Sequence, residues 1–357
     1  MAQRIPIRLH VANALQWLGT LYRSPADALK EHVSNAIDEH VKARIEGAAR
    51  ERCRVVFTLG RRSVAVEYPY GMSRREFEAA LLRVADSAKR VEGVRSIGRL
   101  GIGIFSFQQI GRKCTFYSRK SAAAETIEVV LKEGRDEAQV ETAKARDRLA
   151  GPGLRVVISE LKFDPSRPRG PLAPDTLRRY LAEKFEAYLR EGWLEIAIVS
   201  GVGEFLVVPP RVGLPRLMGR LRRVRLADDP SKEARLDLYF DPSGKGRVSV
   251  RHRGVVVVES LATAGAYGIE ETVWGRGHVR GFVDADFLTP LPARTGFDED
   301  ADWVALVDLL DRYAPTLEGE VASHLDAHRA KQLSDLERPR RSARLQAGPV
   351  GSSSSRQ

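Results

Sequence analysis

The stretch "SPADALKEHVSNAIDEHVKARIEG", residues 24–47, reads as one capped, amphipathic helix. Ser24 is a good N-cap, Pro25 fits the first helical position, and Asp27 stands three residues after the cap. Ala26, Leu29, Val33, Ala36 and Ile37 repeat at helical period and form one apolar stripe. Glu31, Asn35 and Asp38 align on the opposite side, since each residue turns the helix by ~100°. A carboxylate, an amide and a second carboxylate on one line could serve a hard cation such as Mg²⁺ through oxygen. Alone, the same pattern also describes a solvated polar face.

The chain around this helix has 357 residues, enough for two domains with their own cores. Hydrophobic residues at 43% and charged residues at 29% describe a soluble globular protein. No apolar run approaches the roughly 18–20 residues needed to span a bilayer, and the N-terminus has no export-signal pattern. Cys53 and Cys114 lie far apart, which suits a reduced cytoplasm and excludes both a disulfide framework and a cysteine zinc site. His324 and His328 stand one helical turn apart without a third ligand. The net charge of +11 and the arginine run at 211–225 leave weak nucleic-acid contact open beside ordinary solvated surface.

Pro165, Pro168, Pro171 and Pro174 fall at three-residue spacing and mark a linker. The expected organisation is a domain at 1–162, a Pro-rich linker at 163–175, a second domain at 176–332 and a disordered basic tail at 333–357. A last helix is expected over about 302–332. Both halves mix helices with hairpin-like strand pairs, which points to α+β.

Two further signals follow this helix in the sequence. "VAVEYPYGMSRREF" (64–77) runs from strand through turn into helix, with Glu67 at the strand's end. "SIGRLGIGIFSFQQIG" (96–111) places Gly98, Gly101 and Gly103 before an apolar, helix-compatible run. Such glycines let successive backbone N–H groups converge on an anion. No βαβ context or P-loop Lys-Ser/Thr end accompanies them.

Taken in order, "KEHVSNAIDEH" (30–40), "VEYPYGMS" (66–73), "ADSAKR" (85–90) and "IGRLGIGIFSF" (97–107) resemble the GHKL superfamily of ATPases. That superfamily joins gyrase-type, mismatch-repair and sensor-kinase catalytic domains with the ninety-kilodalton heat-shock chaperone. "GHVRGFVDADFLTPLPARTGFDED" (277–300) is similar to the chaperone's middle-domain segment that ends in a catalytic arginine. The resemblance covers residues from about 10 to 330. It implies a two-layer α/β sandwich of the Bergerat type, followed by a second α/β domain of middle or transducer type. No chaperone-type dimerisation domain and no sensor-kinase phosphoacceptor segment is expected. ATP and Mg²⁺ are the implied cofactors, with slow hydrolysis driving a chaperone-like conformational cycle. The resemblance also implies a homodimer formed through ATP-driven N-terminal contacts, and it names no client. A non-hydrolysing nucleotide switch, or an ATP-dependent nucleic-acid-associated protein of DNA processing or defence, is the alternative.

Residue by residue, the resemblance makes Glu31 the general base and Asn35 the Mg²⁺ ligand, with Asp38 supporting the pocket. Gly98, Gly101 and Gly103 would give N–H donors to the phosphates. Segment 74–97 would be the lid, with Ser87 and Lys89 as phosphate or lid contacts. Arg294 would reach across from the second domain to stabilise charge on the γ-phosphate. Gly71 and Met72 match the family's strand-turn, whereas Glu67 stands for its base-reading aspartate, Tyr68 for asparagine and Pro69 for glycine. In "GPGLRVVISEL" (151–161), Leu154 stands where the family has a threonine near the base. The base-reading end therefore departs from the family twice, while the phosphate end matches.

Overall fold

The computed structural model describes residues 11–82, 103–165, 167, 169–210, 213–263, 268–291 and 295–345, and side chains throughout these except at 11–13, 220, 221 and 336–345. Two compact units emerge. One comprises Met1–Arg211, His252–Val257 and Thr289–Phe297, the other Val212–Arg251, Val258–Leu288 and Asp298–Gln357.

The first unit opens with α1 (Val11–Thr20) and α2 (Pro25–Ile45), then the hairpin β1 (Cys53–Leu59) and β2 (Ser63–Tyr68). Next come α3 (Arg74–Leu82), a 3₁₀ segment at Gly103–Gln109, and strands β3 (Gly111–Arg119), β4 (Ile127–Lys132), β5 (Gln139–Thr142) and β6 (Gly153–Leu161). Helices α4 (Pro174–Lys184) and α5 (Glu186–Glu191) precede β7 (Leu194–Ser200) and β8 (Gly203–Leu206). The eight strands form one sheet in the order β5-β4-β3-β6-β2-β1-β7-β8. Its pairings are antiparallel except β1 with β7, which run parallel from Cys53↔Leu194 to Leu59↔Ser200.

Strand alternation decides where the core sits. In β2, Val64, Val66 and Tyr68 are buried while Ser63, Ala65 and Glu67 are half-exposed. The buried set shares one apolar cluster with Leu29, Val33 and Ile37 of α2 and with Leu177 and Leu181 of α4. Helices thus cover one face of the sheet, giving a two-layer α/β sandwich.

The expected linker at 163–175 lies within this unit, between β6 and α4. Pro174 occupies the start of α4, where its missing N–H costs nothing, and Leu172 and Ala173 before it are buried. Apolar residues between the prolines anchor the segment to the core.

The second unit contains β9 (Arg216–Arg225), β10 (Glu233–Phe240) and β11 (Val248–His252). After β12 (Val255–Val258), whose Val255 belongs to the first unit's core, it continues with β13 (Val279–Asp284) and α6 (Ala301–Leu345). The second sheet runs in the order β12-β11-β13-β10-β9, with β11 and β13 parallel. Helix α6 runs to Leu345, past the expected end near 332, because "KQLSDLER" (331–338) is composed mostly of helix formers. The whole is α+β, a large mixed sheet plus a second α/β region. Among the described residues, no helix is long and apolar enough to cross a membrane.

Candidate nucleotide site

Helix α2 begins as the sequence indicates. Ser24 is extended (φ −153°, ψ 161°), and its Oγ accepts a hydrogen bond from the Asp27 backbone N–H at 3.1 Å. The apolar stripe is buried, with Leu29, Val33, Ala36 and Ile37 all fully enclosed. The rest of the helix is not a solvated face. Lys30, His32, Ser34, Asp38 and His40 are buried as well. Lys30 forms an ion pair with Asp27 at 3.5 Å, and the Tyr180 hydroxyl donates to the same carboxylate.

Glu31 and Asn35, half-buried on α2, meet the first residue of the 3₁₀ segment. A Cβ placed on Gly103 would lie 3.4 Å from Glu31 Oε2 and 3.9 Å from Asn35 Nδ2. Side chains of the segment hold it in place: Ser106 Oγ donates to Ala28 O at 3.3 Å, Gln108 Nε2 to Leu15 O at 3.1 Å, and Gln109 Nε2 to Gly19 O at 2.7 Å. Two buried phenylalanines, Phe105 and Phe107, fix its inner side. The expected helical run is this short 3₁₀ stretch, since β3 starts at Gly111 and leaves no length for a longer helix.

Glu31 leaves one oxygen unmet: its Oε1 is buried and has no hydrogen-bond partner among the described residues. Tyr22, whose buried hydroxyl is likewise unpartnered, has its pKa raised by burial first, then by the charges of Glu31 and Asp27. A buried carboxylate oxygen without a protein donor costs free energy unless a ligand or water completes it. Tyr22 is a site neighbour that sequence reasoning missed, because only tertiary packing brings a residue before the N-cap alongside Glu31.

Gly71 and Met72 sit at a tight junction. A Cβ on Gly71 would fall 2.2 Å from Arg119 O and 2.5 Å from Gly153 O, so glycine is required for close approach. The Met72 N–H donates to Ser118 Oγ at 2.6 Å, and Ser118 Oγ donates back to Met72 O at 2.8 Å. Helix α3 then starts with a reciprocal cap: Ser73 N–H donates to Glu76 Oε2 at 2.7 Å and Glu76 N–H to Ser73 Oγ at 3.3 Å.

Glu67 is placed elsewhere. Strand period turns it away from Val66 and Tyr68, onto the sheet face opposite α2, where its Oε1 accepts from Arg155 Nε at 2.9 Å. The carboxylate expected to receive a base is already committed to its cross-strand partner. On the helix-facing side stand Tyr68 and Leu154, which pair across β2 and β6 and belong to the apolar core. Asp38 is buried on α2. Ser87, Lys89, Gly98, Gly101 and Arg294 lie outside the described residues. The flanks of Arg294 are described. Leu291 N–H donates to Gly296 O at 2.9 Å, and Arg23, next to the α2 N-cap, donates to Thr295 O at 2.7 Å.

Within the arginine run, Arg216–Arg225 form β9, the last strand in its sheet's order. Arg216 pairs with Asp237 at 3.3 Å, Arg223 with Glu233 at 3.6 Å, and Arg222 lies 4.9 Å over the Tyr313 ring. Local partners thus occupy several of these charges, and the strand is guarded as sheet edges usually are. Among the described residues, no three His, Cys, Asp or Glu side chains group to hold a metal. Asn35 with phosphate oxygens and water is a donor set that suits Mg²⁺, which keeps several waters and binds few protein ligands.

Comparison with curated proteins gives no match. Residues 22–150, which hold α2, the strand-turn at Gly71 and the 3₁₀ segment at Gly103, match the model of the histidine kinase-, DNA gyrase B- and HSP90-like ATPase family.

Proposed function

We propose that this chain binds ATP with Mg²⁺ at the α2–Gly103 junction and hydrolyses it slowly to drive a conformational cycle. One observation carries the reading: Gly103 lies against Glu31 and Asn35, with a buried Glu31 oxygen that has no described partner. Backbone N–H groups from the glycine segment would receive the phosphates. Asn35 would hold Mg²⁺, which when bound neutralises phosphate charge. Glu31 would orient the attacking water and take its proton as the O–P bond forms. Arg294 would meet the charge that develops on the transferred phosphoryl group. Gly71 and Met72, held by Ser118, would border the site, while Asp38 would support it from within α2. The nucleotide-dependent homodimer and the chaperone-like role belong to the same proposal.

The experiment is Mg²⁺-dependent ATP binding and phosphate release by the purified chain, with Glu31→Ala as the control. Binding with turnover that vanishes in Glu31→Ala supports the reading. No nucleotide binding sinks it.

A further inference from the structure

Beyond Asn35, the same side of α2 continues toward its C-terminal end through Glu39 and Lys42 at helical spacing. Glu39, half-buried, and Lys42, exposed, line an open cavity of about 280 Å³ together with Glu46, Arg50, Lys120, Pro69 and Tyr70. That volume is near the lower end for a small-molecule site and suits a nucleobase with part of its sugar. The Tyr70 wall is held firmly. Its hydroxyl lies 2.7 Å from His40 Nδ1, and His40 stacks on Trp193 at 4.4 Å with planes 5° apart. Under α2, by contrast, the β2–β6 pair offers only Tyr68 and Leu154, 8% and 5% exposed and packed in the core. Glu67 is bonded to Arg155 on the other face. Room and polar groups for a base therefore coincide in this cavity, where Glu39 and Lys42 are the charged groups that continue the Asn35 side of α2, and not at Glu67, Tyr68 or Leu154.

We infer, resting on the nucleotide site proposed above, that this cavity receives the base and that Glu39 and Lys42 read it, accepting guanine at least as well as adenine. Guanine presents two adjacent donors, N1–H and N2–H, beside the O6 acceptor. One carboxylate can accept both donors while a neighbouring ammonium donates to O6. Adenine offers a single amino donor next to the N1 lone pair, which repels a carboxylate. Selectivity follows from polar groups that the wrong base leaves unpaired. Tyr70 and Pro69 give the ring a rigid apolar wall, which limits the ordering cost of binding.

The test is calorimetric titration of the full chain with Mg²⁺ and, separately, ATP, GTP and inorganic tripolyphosphate. GTP is expected to bind within about threefold of ATP or more tightly, and tripolyphosphate about tenfold more weakly than either. Glu39→Gln and Lys42→Met are each expected to weaken GTP about tenfold, against about twofold or less for ATP, since each removes a charge-assisted bond. Tripolyphosphate affinity checks that the variants still fold. An unchanged GTP-to-ATP ratio in both variants, or a wild-type preference for ATP above about tenfold, overturns the base assignment and leaves the phosphate site standing. Failure of all three ligands to bind overturns the nucleotide site itself.

Discussion

Glu67 and Arg155 face each other across the antiparallel β2–β6 pair, with carboxylate and guanidinium joined at 2.9 Å. Both side chains are more than a third exposed, so the pair contributes at most about 1 kcal/mol. Glu67→Gln is therefore expected to lower stability by less than about 1 kcal/mol and to change nucleotide affinity by less than about twofold. Urea unfolding and nucleotide titration of the variant check both. A tenfold affinity loss would return Glu67 to the base.

The sequence carried enough to see this placement. Val64, Val66 and Tyr68 mark the buried side of β2 by period two, which leaves Glu67 on the other side. Alignment to a family pattern obscured it, because a motif assigns identity at a position but not the face. Helix α2 was legible to its cap, since capping and apolar period are local. The parallel pairing of β1 with β7 was not. It joins Cys53 to Leu194, and no local signal reports a contact across such a separation. For the same reason the prolines at 165–174 read as a boundary, although Leu172 and Ala173, between Pro171 and Pro174, are buried.

Glu31→Ala and Asn35→Ala should separate chemistry from binding. Glu31→Ala removes the group that would position water and is expected to retain Mg²⁺–ATP while losing roughly 10²-fold or more in turnover. Asn35→Ala is expected to weaken binding in a Mg²⁺-dependent manner. Phosphate release and titration with and without Mg²⁺ decide the point, and wild-type turnover in Glu31→Ala would remove the general base.

Gly71→Ala tests the strand-turn junction. The added methyl would meet two backbone carbonyl oxygens at 2.2 and 2.5 Å, which only backbone movement can relieve. A loss of about 1–3 kcal/mol or more is expected. Gly151→Ala, where nothing lies within 4 Å, is the matched control and should shift stability by about 0.5 kcal/mol or less. Equal midpoints of chemical unfolding for the two variants would contradict the close approach.

His32 makes stability depend on pH. It is buried, its Nε2 lacks a partner among the described residues, and burial lowers its pKa from 6.5 to about 4. The folded chain holds the neutral ring, so between those values the unfolded chain binds more protons. The contribution is complete above about pH 6.5 and is lost as pH falls toward 4, by at most about 3 kcal/mol. His40, lowered chiefly by burial, acts with the same sign. The melting temperature is expected to fall between pH 7 and 5, and His32→Leu to flatten that slope. An unchanged slope in the variant would assign the dependence to other groups.

Arg294 and Arg23 make the last pair of residues to test. Arg23 precedes the N-cap of α2 and donates to Thr295 O at 2.7 Å, so one hydrogen bond ties the flank of Arg294 to the start of the helix that carries Glu31. If Arg294 completes the site, Arg294→Ala should lower turnover by about 10²-fold or more while nucleotide affinity changes little, because the contact would form mainly in the transition state. Arg23→Ala should do the same more mildly, since it loosens the segment without removing the charge. A chain cut near residue 165 is not a fair test of this idea. It would delete β7, which pairs with β1 along the whole strand, and α4, which belongs to the core, so lost activity would report unfolding. Point variants with unchanged melting temperatures avoid that confusion. Arg294→Ala turning over at the wild-type rate would exclude the arginine from the chemistry. An equal loss of affinity and turnover would make it a binding group instead.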